Sequence, residues 1–234
     1  MPKQVLNRDD ILRSAIELLD LDGYDQLSLR KLATRLGSGA TSVYWHVKNK
    51  EELLSLVINE VLGEIELPDP EKTTWRRGAE RFTRSLREVL NQHPWLSAAM
   101  RNDLSMGPNA ARMLDRLLAI LELGGFSGEE ADRAAGTLIW YVMGVSGSDA
   151  STREFYRRHH DARQLMIDLS IAQRPVVEPY PRLLERYDAG LAELQTGTGD
   201  ADDDPDDEPF EYGLETILDG LESRRRRRRT RSRS

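Results

Sequence analysis

Apolar residues along this chain recur at intervals of three and four almost throughout, and no run of alternating β-branched residues bounded by hairpin turns interrupts them. The pattern predicts an all-α fold. Ile11, Ala15, Leu18 and Leu19 give a first helix, from about Arg8 to Asp20, its inward face; Asn7 is its N-cap, Asp9 and Asp10 suit its first turn, and Gly23 is its stop. Ser28 caps a second helix with Leu29, Leu32, Ala33 and Leu36 inside and Arg30, Lys31 and Arg35 outside, ended by Gly37. The turn Gly37-Ser38-Gly39 supplies two residues tolerant of positive φ, so the chain can reverse into a helix of barely two turns, Ala40 to His46. A helix that short is unstable alone. Val43 and Val47 are its expected anchors, which leaves Thr41, Ser42, Tyr44, Trp45 and His46 near its outer surface. Asn49 followed by Glu52 matches a capping box and opens a fourth helix through about Glu64.

Beyond the Pro68-Asp69-Pro70 break, the spacing predicts a helix from about Trp75 to Gln92, closed by His93-Pro94, and a shorter helical piece from Trp95. Pro108 opens another that stops at Gly124-Gly125. The stretch Ser127 to Glu130 caps a long one reaching about Ser148. Ala134, Ala135, Leu138, Ile139, Tyr141, Val142 and Val145, with Gly136, Gly144 and Gly147, cover more than one face of that helix, as in an element set between a core and a partner subunit. Pro181 to Leu194 and Phe210 to Leu221 are amphipathic. The organisation read from this is a head, 1–64, with the fourth helix as connector; a body, 65–222, with a disordered acidic loop at 196–208; and a disordered arginine-rich tail, 223–234.

Composition narrows the function. With 234 residues, 39% hydrophobic and 31% charged, the chain suits one or two soluble domains. It has no apolar run of the roughly 20 residues that span a bilayer and no signal-peptide core at its start, so a cytoplasmic protein without a membrane partner is expected. The absence of cysteine excludes disulfides, thiolate zinc sites and cysteine nucleophiles. Among the four histidines, His46 has no second donor one helical turn away, and His159-His160-Asp161 stands without a serine elbow, phosphate loop or paired carboxylates. In the acidic run Asp200 to Glu208, Pro205 stands where a calcium loop needs glycine and Asp207 where it needs an apolar residue. No enzymatic activity, metal or cofactor is expected.

Charge points elsewhere. Leu27 to Lys50 holds Arg30, Lys31, Arg35, Lys48 and Lys50 and no carboxylate, in a chain whose formal charge is -7. A basic surface on an acidic protein predicts a polyanion partner. Thr41 and Ser42 are short enough to reach base edges or thymine methyls, Tyr44 and His46 carry donors for phosphate oxygens, and Arg30 and Lys50 add charge. Singly, each aromatic is explained by packing and each lysine by a solvated face; together they describe a helix-turn-helix that holds DNA.

The stretch LSLRKLATRLG at 27–37, followed by TSVYWHVKNKEELL at 41–54, resembles the signature of the TetR family of ligand-responsive transcriptional repressors, in particular its tetracycline-repressor branch. The resemblance is strong over Leu6 to Leu62 and one of helix pattern beyond. By matching positions it implies that Arg30, Ala40, Thr41, Ser42, Tyr44, Trp45, His46 and Lys50 touch operator DNA, with Trp45 also packing. It implies a homodimer paired through 128–148 and 210–221, whose two recognition helices, about one DNA turn apart, read a palindrome. It further implies a small-molecule effector that releases the operator. Trp75, Phe82, Trp95, Met100, Met113, Leu117, Trp140, Met143 and Phe155 read equally as an ordinary core or as a lining for a bulky apolar ligand. The resemblance favours the lining, at Glu66, Phe82, Met100, Met113, Leu117, Trp140 and Met143. The polar positions that hold a magnesium-drug chelate in the tetracycline repressor are not reproduced, which implies a less polar effector without magnesium. The alternative is a nonspecific nucleic-acid-binding protein that uses the arginines at 224–229, 231 and 233 and has no effector.

Overall fold

The computed structural model of the chain describes residues 7–102, 105–197 and 207–231, with eleven α-helices and no strand among them. Two compact units divide it: Met1–Gly147 with Asp207–Ser234, and Ser148–Asp206.

In the first unit, α1 (Arg8–Asp22) begins where the Asn7 side chain accepts from the Asp10 N–H at 2.7 Å and ends at Gly23, whose φ of 83° admits glycine readily. Ser28 caps α2 (Leu29–Arg35) by accepting from the Lys31 N–H. Then come α3 (Ala40–Tyr44) and α4 (Lys50–Leu62), the latter capped by Asn49. Thr74 caps α5 (Trp75–Gln92), α6 covers Leu96–Asn102, and Pro108 is the first residue of α7 (Pro108–Leu123). Buried Ile11, Leu32, Val43, Leu53 and Val57 continue without a break into Phe82, Leu86, Leu117 and Leu138, so head and body share one core.

The long helix α8 (Glu129–Arg158) and the last helix α11 (Glu208–Arg231) meet closely within this unit. Tyr141 stacks on Phe210 and donates its hydroxyl to the Phe210 carbonyl at 2.8 Å. A Cβ at Gly213 would stand 2.1 Å from that hydroxyl, so only glycine allows the approach. Helix α11 runs antiparallel to α5: Arg87 pairs with Asp207, just before α11, at 2.9 Å, Arg84 with Glu211 at 2.7 Å and Arg76 with Asp219 at 2.7 Å, so positions that fall along α5 meet positions that rise toward the end of α11. Arg87 is buried and also lies over the Phe210 ring, 4.1 Å from its centroid.

The second unit takes in the end of α8, from Ser148 on, and a helical hairpin of α9 (Ala162–Val177) and α10 (Pro181–Thr196). Arg174 pairs with Asp188, Tyr187 donates to the Ser170 carbonyl, and Arg163 donates to the Leu194 carbonyl. Ala162 alone is buried among its described apolar residues.

Several boundaries depart from the sequence reading. The third helix stops at Tyr44, and α8 runs to Arg158. Helix α9 lies beyond the elements read, and Pro175 stands inside it, where the chain forgoes one i→i−4 hydrogen bond. The tail expected to be disordered continues α11 as helix to Arg231, because arginine is a good helix former and extending a helix already nucleated fixes one residue per bond gained. Of the expected acidic loop, 196–208, residues 198–206 lie outside the described residues, while Thr196 ends α10 and Glu208 begins α11.

Candidate nucleic-acid interface

The turn between α2 and α3 closes with a two-bond lock: the Ser38 N–H reaches the Ala33 carbonyl at 3.0 Å and the Gly37 N–H the Thr34 carbonyl at 3.1 Å. Gly37 takes the positive φ this requires, 60°, whereas Gly39 is extended, so one of the two tolerant residues makes the reversal. Five residues cannot hold a helix by their own hydrogen bonds. Val43 and Val47, fully buried, pin α3 to the head from below as anticipated.

Pinning one side presents the other. Thr41 and Tyr44 are exposed, Ser42 and His46 half-buried, and Ala40 opens the helix. Trp45, expected to pack partly, is 84% exposed: with Val43 and Val47 filling the inward positions, its ring has no room on that side. At the edge of α3 a depression of about 330 Å³ is lined by Ser28, Leu29, Arg30, Tyr44, Lys48 and Lys50, with Leu27 and Asn49. It brings together the start of α2, the end of α3 and the start of α4, and gathers three cations beside a phenol hydroxyl. Lys50 also lies over the Tyr24 ring, 5.6 Å from its centroid. Lys48, one cation of the basic stretch, joins Arg30 and Lys50 here. Its place follows from the capping box, since Glu52 accepts from the Lys48 backbone N–H at 2.7 Å and fixes the chain that carries it.

Two of the five cations face elsewhere. Lys31 pairs with Asp22 at 2.8 Å and Arg35 with Glu17 at 2.9 Å, both turned back onto α1. The open charge is therefore Arg30, Lys48 and Lys50, around the depression rather than spread along α2.

A buried histidine ties this head to the body. His93, at the end of α5, meets Asp20 of α1 through Nδ1 at 2.8 Å and Glu64, just past α4, through Nε2 at 3.2 Å. Trp95 donates its indole N–H to the same Asp20 oxygen at 2.7 Å. Only the imidazolium can donate from both ring nitrogens at once. The Asp20 hydrogen bond, opposed by burial and helped by the charges of Asp20 and Glu64, accordingly raises the pKa of His93 above its ordinary value. Sequence reading saw His93 only as a helix stop.

The residues expected around an effector divide. Phe82, Met113, Leu117 and Met143 are buried in one core, with Met100 packed at its margin. Glu66 and Trp140 are not there. Glu66 is exposed and paired with Arg81, its backbone N–H bonded to Ser85, because the segment that follows α4 runs along the outside of α5. Trp140 is 65% exposed, since the inward face of α8 is filled by Leu138, Val142 and Met143. Among the described residues no group of three or more histidines and carboxylates is arranged to hold a metal ion. Exposed His159, His160 and Asp161 join α8 to α9, and no helix of the described chain is long and apolar enough to cross a membrane.

Comparison with known proteins accords with this geometry. Residues 11–57 match the model of bacterial regulatory proteins of the tetR family, and residues 67–225 match the tetracyclin repressor-like C-terminal domain. An HTH-type transcriptional regulator of Saccharopolyspora erythraea is 36% identical over 82% of this chain and 80% of its own length. The HTH-type transcriptional repressor DrrR1 of Streptomyces coeruleorubidus is 30% identical over 94% of this chain and 79% of its own. The crystal structure of the Streptomyces coelicolor TetR family protein ActR in complex with actinorhodin superposes with a TM-score of 0.74 at 29% identity, covering 94% of this chain and 96% of that one. With a family domain matched over most of its length and a helix-turn-helix open on its reading side, the chain belongs to the TetR family and is a DNA-binding transcriptional regulator.

Proposed function

We propose that this regulator is a repressor that binds a palindromic operator as a homodimer and lets go when a small, largely hydrophobic effector binds its body. The observation that carries the reading is the presentation of α3: two buried valines beneath, Thr41, Ser42, Tyr44, Trp45 and His46 toward solvent, and Arg30, Lys48 and Lys50 around its edge. Thr41, Ser42 and the start of α3 at Ala40 face base edges in the major groove, and Tyr44, His46 and the three cations face phosphates. The head comprises 1–64 and the body 65–222.

Dimerisation through 128–148 and 210–221 is supported by the large rings left outside on those helices, Trp140 and Tyr212, the latter 75% exposed, and by the exposed Gly144, which lets a partner helix come near. A hydrophobic effector is supported by the chemistry of Phe82, Met100, Met113, Leu117 and Met143, and by ActR, which was crystallised with actinorhodin. Glu66 and Trp140, at the surface, are left out of that lining. Release requires that the effector favour an arrangement in which the heads no longer fit adjacent half-sites, by a few kcal/mol. The route from body to head runs through the contacts that α4 makes with α7, where Asn109 bonds Asn59 twice, and through the His93 clamp. A protein of this kind acts in the cytoplasm, where the DNA is.

Selection of bound fragments from genomic DNA tests the first half: inverted half-sites about 34–36 Å apart are expected, and enrichment without an inverted repeat would overturn the dimeric reading. Gel-shift titration with apolar candidate effectors tests the second; an operator affinity unchanged by every ligand that demonstrably binds would defeat it. A chain ending at Ser223 should keep its operator preference, whereas a protein that holds DNA only through its arginine tail would lose most of its affinity.

A further inference from the structure

We propose that the arginine-rich end of α11 is a second nucleic-acid contact, a cationic helix that grips the phosphate backbone of a DNA duplex other than the one held by the head. Eight arginines at 224–229, 231 and 233 stand against a single carboxylate, Glu222, in the last stretch of the chain, and removing them would take the formal charge from -7 to -15. Glu222 pairs with Arg225 and Arg226, which leaves a large excess of positive charge. The helix backbone runs on to Arg231, about 15 Å beyond Leu221.

Direction separates this contact from the operator. Helix α11 is antiparallel to α5, with Arg87 opposite Asp207 and Arg76 opposite Asp219. Helix α5 is about 27 Å long. Its end at His93 touches the head through Asp20 and Glu64, and its start lies beside Asp219 and Glu222. Helix α11 therefore leaves the body at the end opposite the head, and its backbone runs on to Arg231 away from α3.

Chemistry selects the occupant. Successive residues of a helix turn by about 100°, and no apolar residue follows Leu221, so the sequence there supplies no apolar stripe. Such a helix has no apolar face to lay into a bilayer interface or a hydrophobic groove. Planar guanidinium forks match phosphate oxygens two at a time, and contacts of that kind hold nucleic acid irrespective of sequence. An otherwise strongly acidic body repels DNA, so attraction is confined to the head and this extension. One protein can then hold two duplex segments, or stay near DNA while its head is free.

The test uses the full-length chain and a random-sequence duplex, so its outcome does not depend on the operator reading. With the head disabled by Arg30→Ala, Tyr44→Ala and Lys50→Ala, binding measured by fluorescence anisotropy should persist and weaken steeply with salt. Replacing the eight arginines by glutamine in that background should lower affinity at least about tenfold at low salt and flatten the salt dependence. A second variant ending at Ser223 should match it, which guards against misfolding of the substituted tail. In a capture assay the parent protein should retain a fluorescent duplex on an immobilised one, and the glutamine variant should not. Equal affinity with and without the arginines, equal capture of the second duplex, or preference for single-stranded RNA or phosphatidylglycerol vesicles over duplex DNA would each overturn the proposal.

Discussion

Helices α2 to α4 and the seam between α5 and α11 are both rich in cations, and the protein treats the two sets in opposite ways. Around the depression beside α3, Arg30, Lys48 and Lys50 converge from three elements with no carboxylate among the lining residues. Along the seam Arg76 and Arg84 meet carboxylates of α11 and Arg87 meets Asp207 just before it, and Arg87 is buried over an aromatic ring. Composition alone does not separate them, since α5 holds five arginines and two glutamates and α2 three cations and no carboxylate, a net charge of +3 in each. What marks a site is the partner: charge neutralised within the fold holds helices together, and charge left without a counterpart is available to something outside. Lys31 and Arg35 carry the same lesson into the head, since α1 takes both.

The largest effect that would sharpen this contrast is on DNA binding. Arg30→Ala, Tyr44→Ala and Lys50→Ala together should cost about 3 kcal/mol of operator affinity, roughly a hundredfold, at about 1 kcal/mol per contact, and reduce the salt slope by about 2. The thermal midpoint should stay nearly unchanged. A gel shift with a parallel melt reads both; a large fall in the midpoint would mean these side chains serve the fold instead.

Arg87→Met should do the reverse. Losing the Asp207 pair and the stack on Phe210 should destabilise the protein by about 2 kcal/mol in urea denaturation while leaving the affinity of the folded protein alone. If stability held and DNA binding fell, seam and head would not differ in kind.

His93→Gln probes the join between them. Because His93 has a raised folded-state pKa, its clamp contributes fully below the unfolded value of about 6.5 and is lost as pH rises through the folded value. The substitution should cost about 1–2 kcal/mol at mildly acidic pH and progressively less on the alkaline side, read from urea midpoints across pH. A cost that grew with pH would show the ring to be neutral in the fold.

The smallest effect belongs to Lys31→Ala and Arg35→Ala, exposed pairs worth under about 1 kcal/mol each. Neither should change the salt slope of operator binding. A slope lowered by about 1 in either variant would put that cation on phosphate and break the division drawn here.

Much of this was legible in the residues. Caps at Asn7, Ser28 and Asn49, the limits of α5, the proline that opens α7 and the two valines beneath α3 all follow from local rules, because each depends on neighbours within four positions. What was not legible depends on distant partners. His93 reads as a helix stop because Asp20 lies 73 residues away. Trp140 looks like core because its helix is apolar on several faces, and only packing shows which face is left outside. Length misled in the same way: the polar ends of α8 and α11 carry no periodic signal, yet each helix runs on through them.

The sequence by itself determined an all-helical chain with a short, glycine-hinged helix near its start that must be held from below and that carries donors on its free side. Hydrogen bonding and amphipathic spacing act over one or two turns, and that range suffices. Only the tertiary structure decided which cations remain open, which ring of α8 stays outside, what the buried histidine joins, and toward which end of the body α11 runs. Those follow from where helices far apart in the chain come to lie side by side, and no local rule encodes such a meeting.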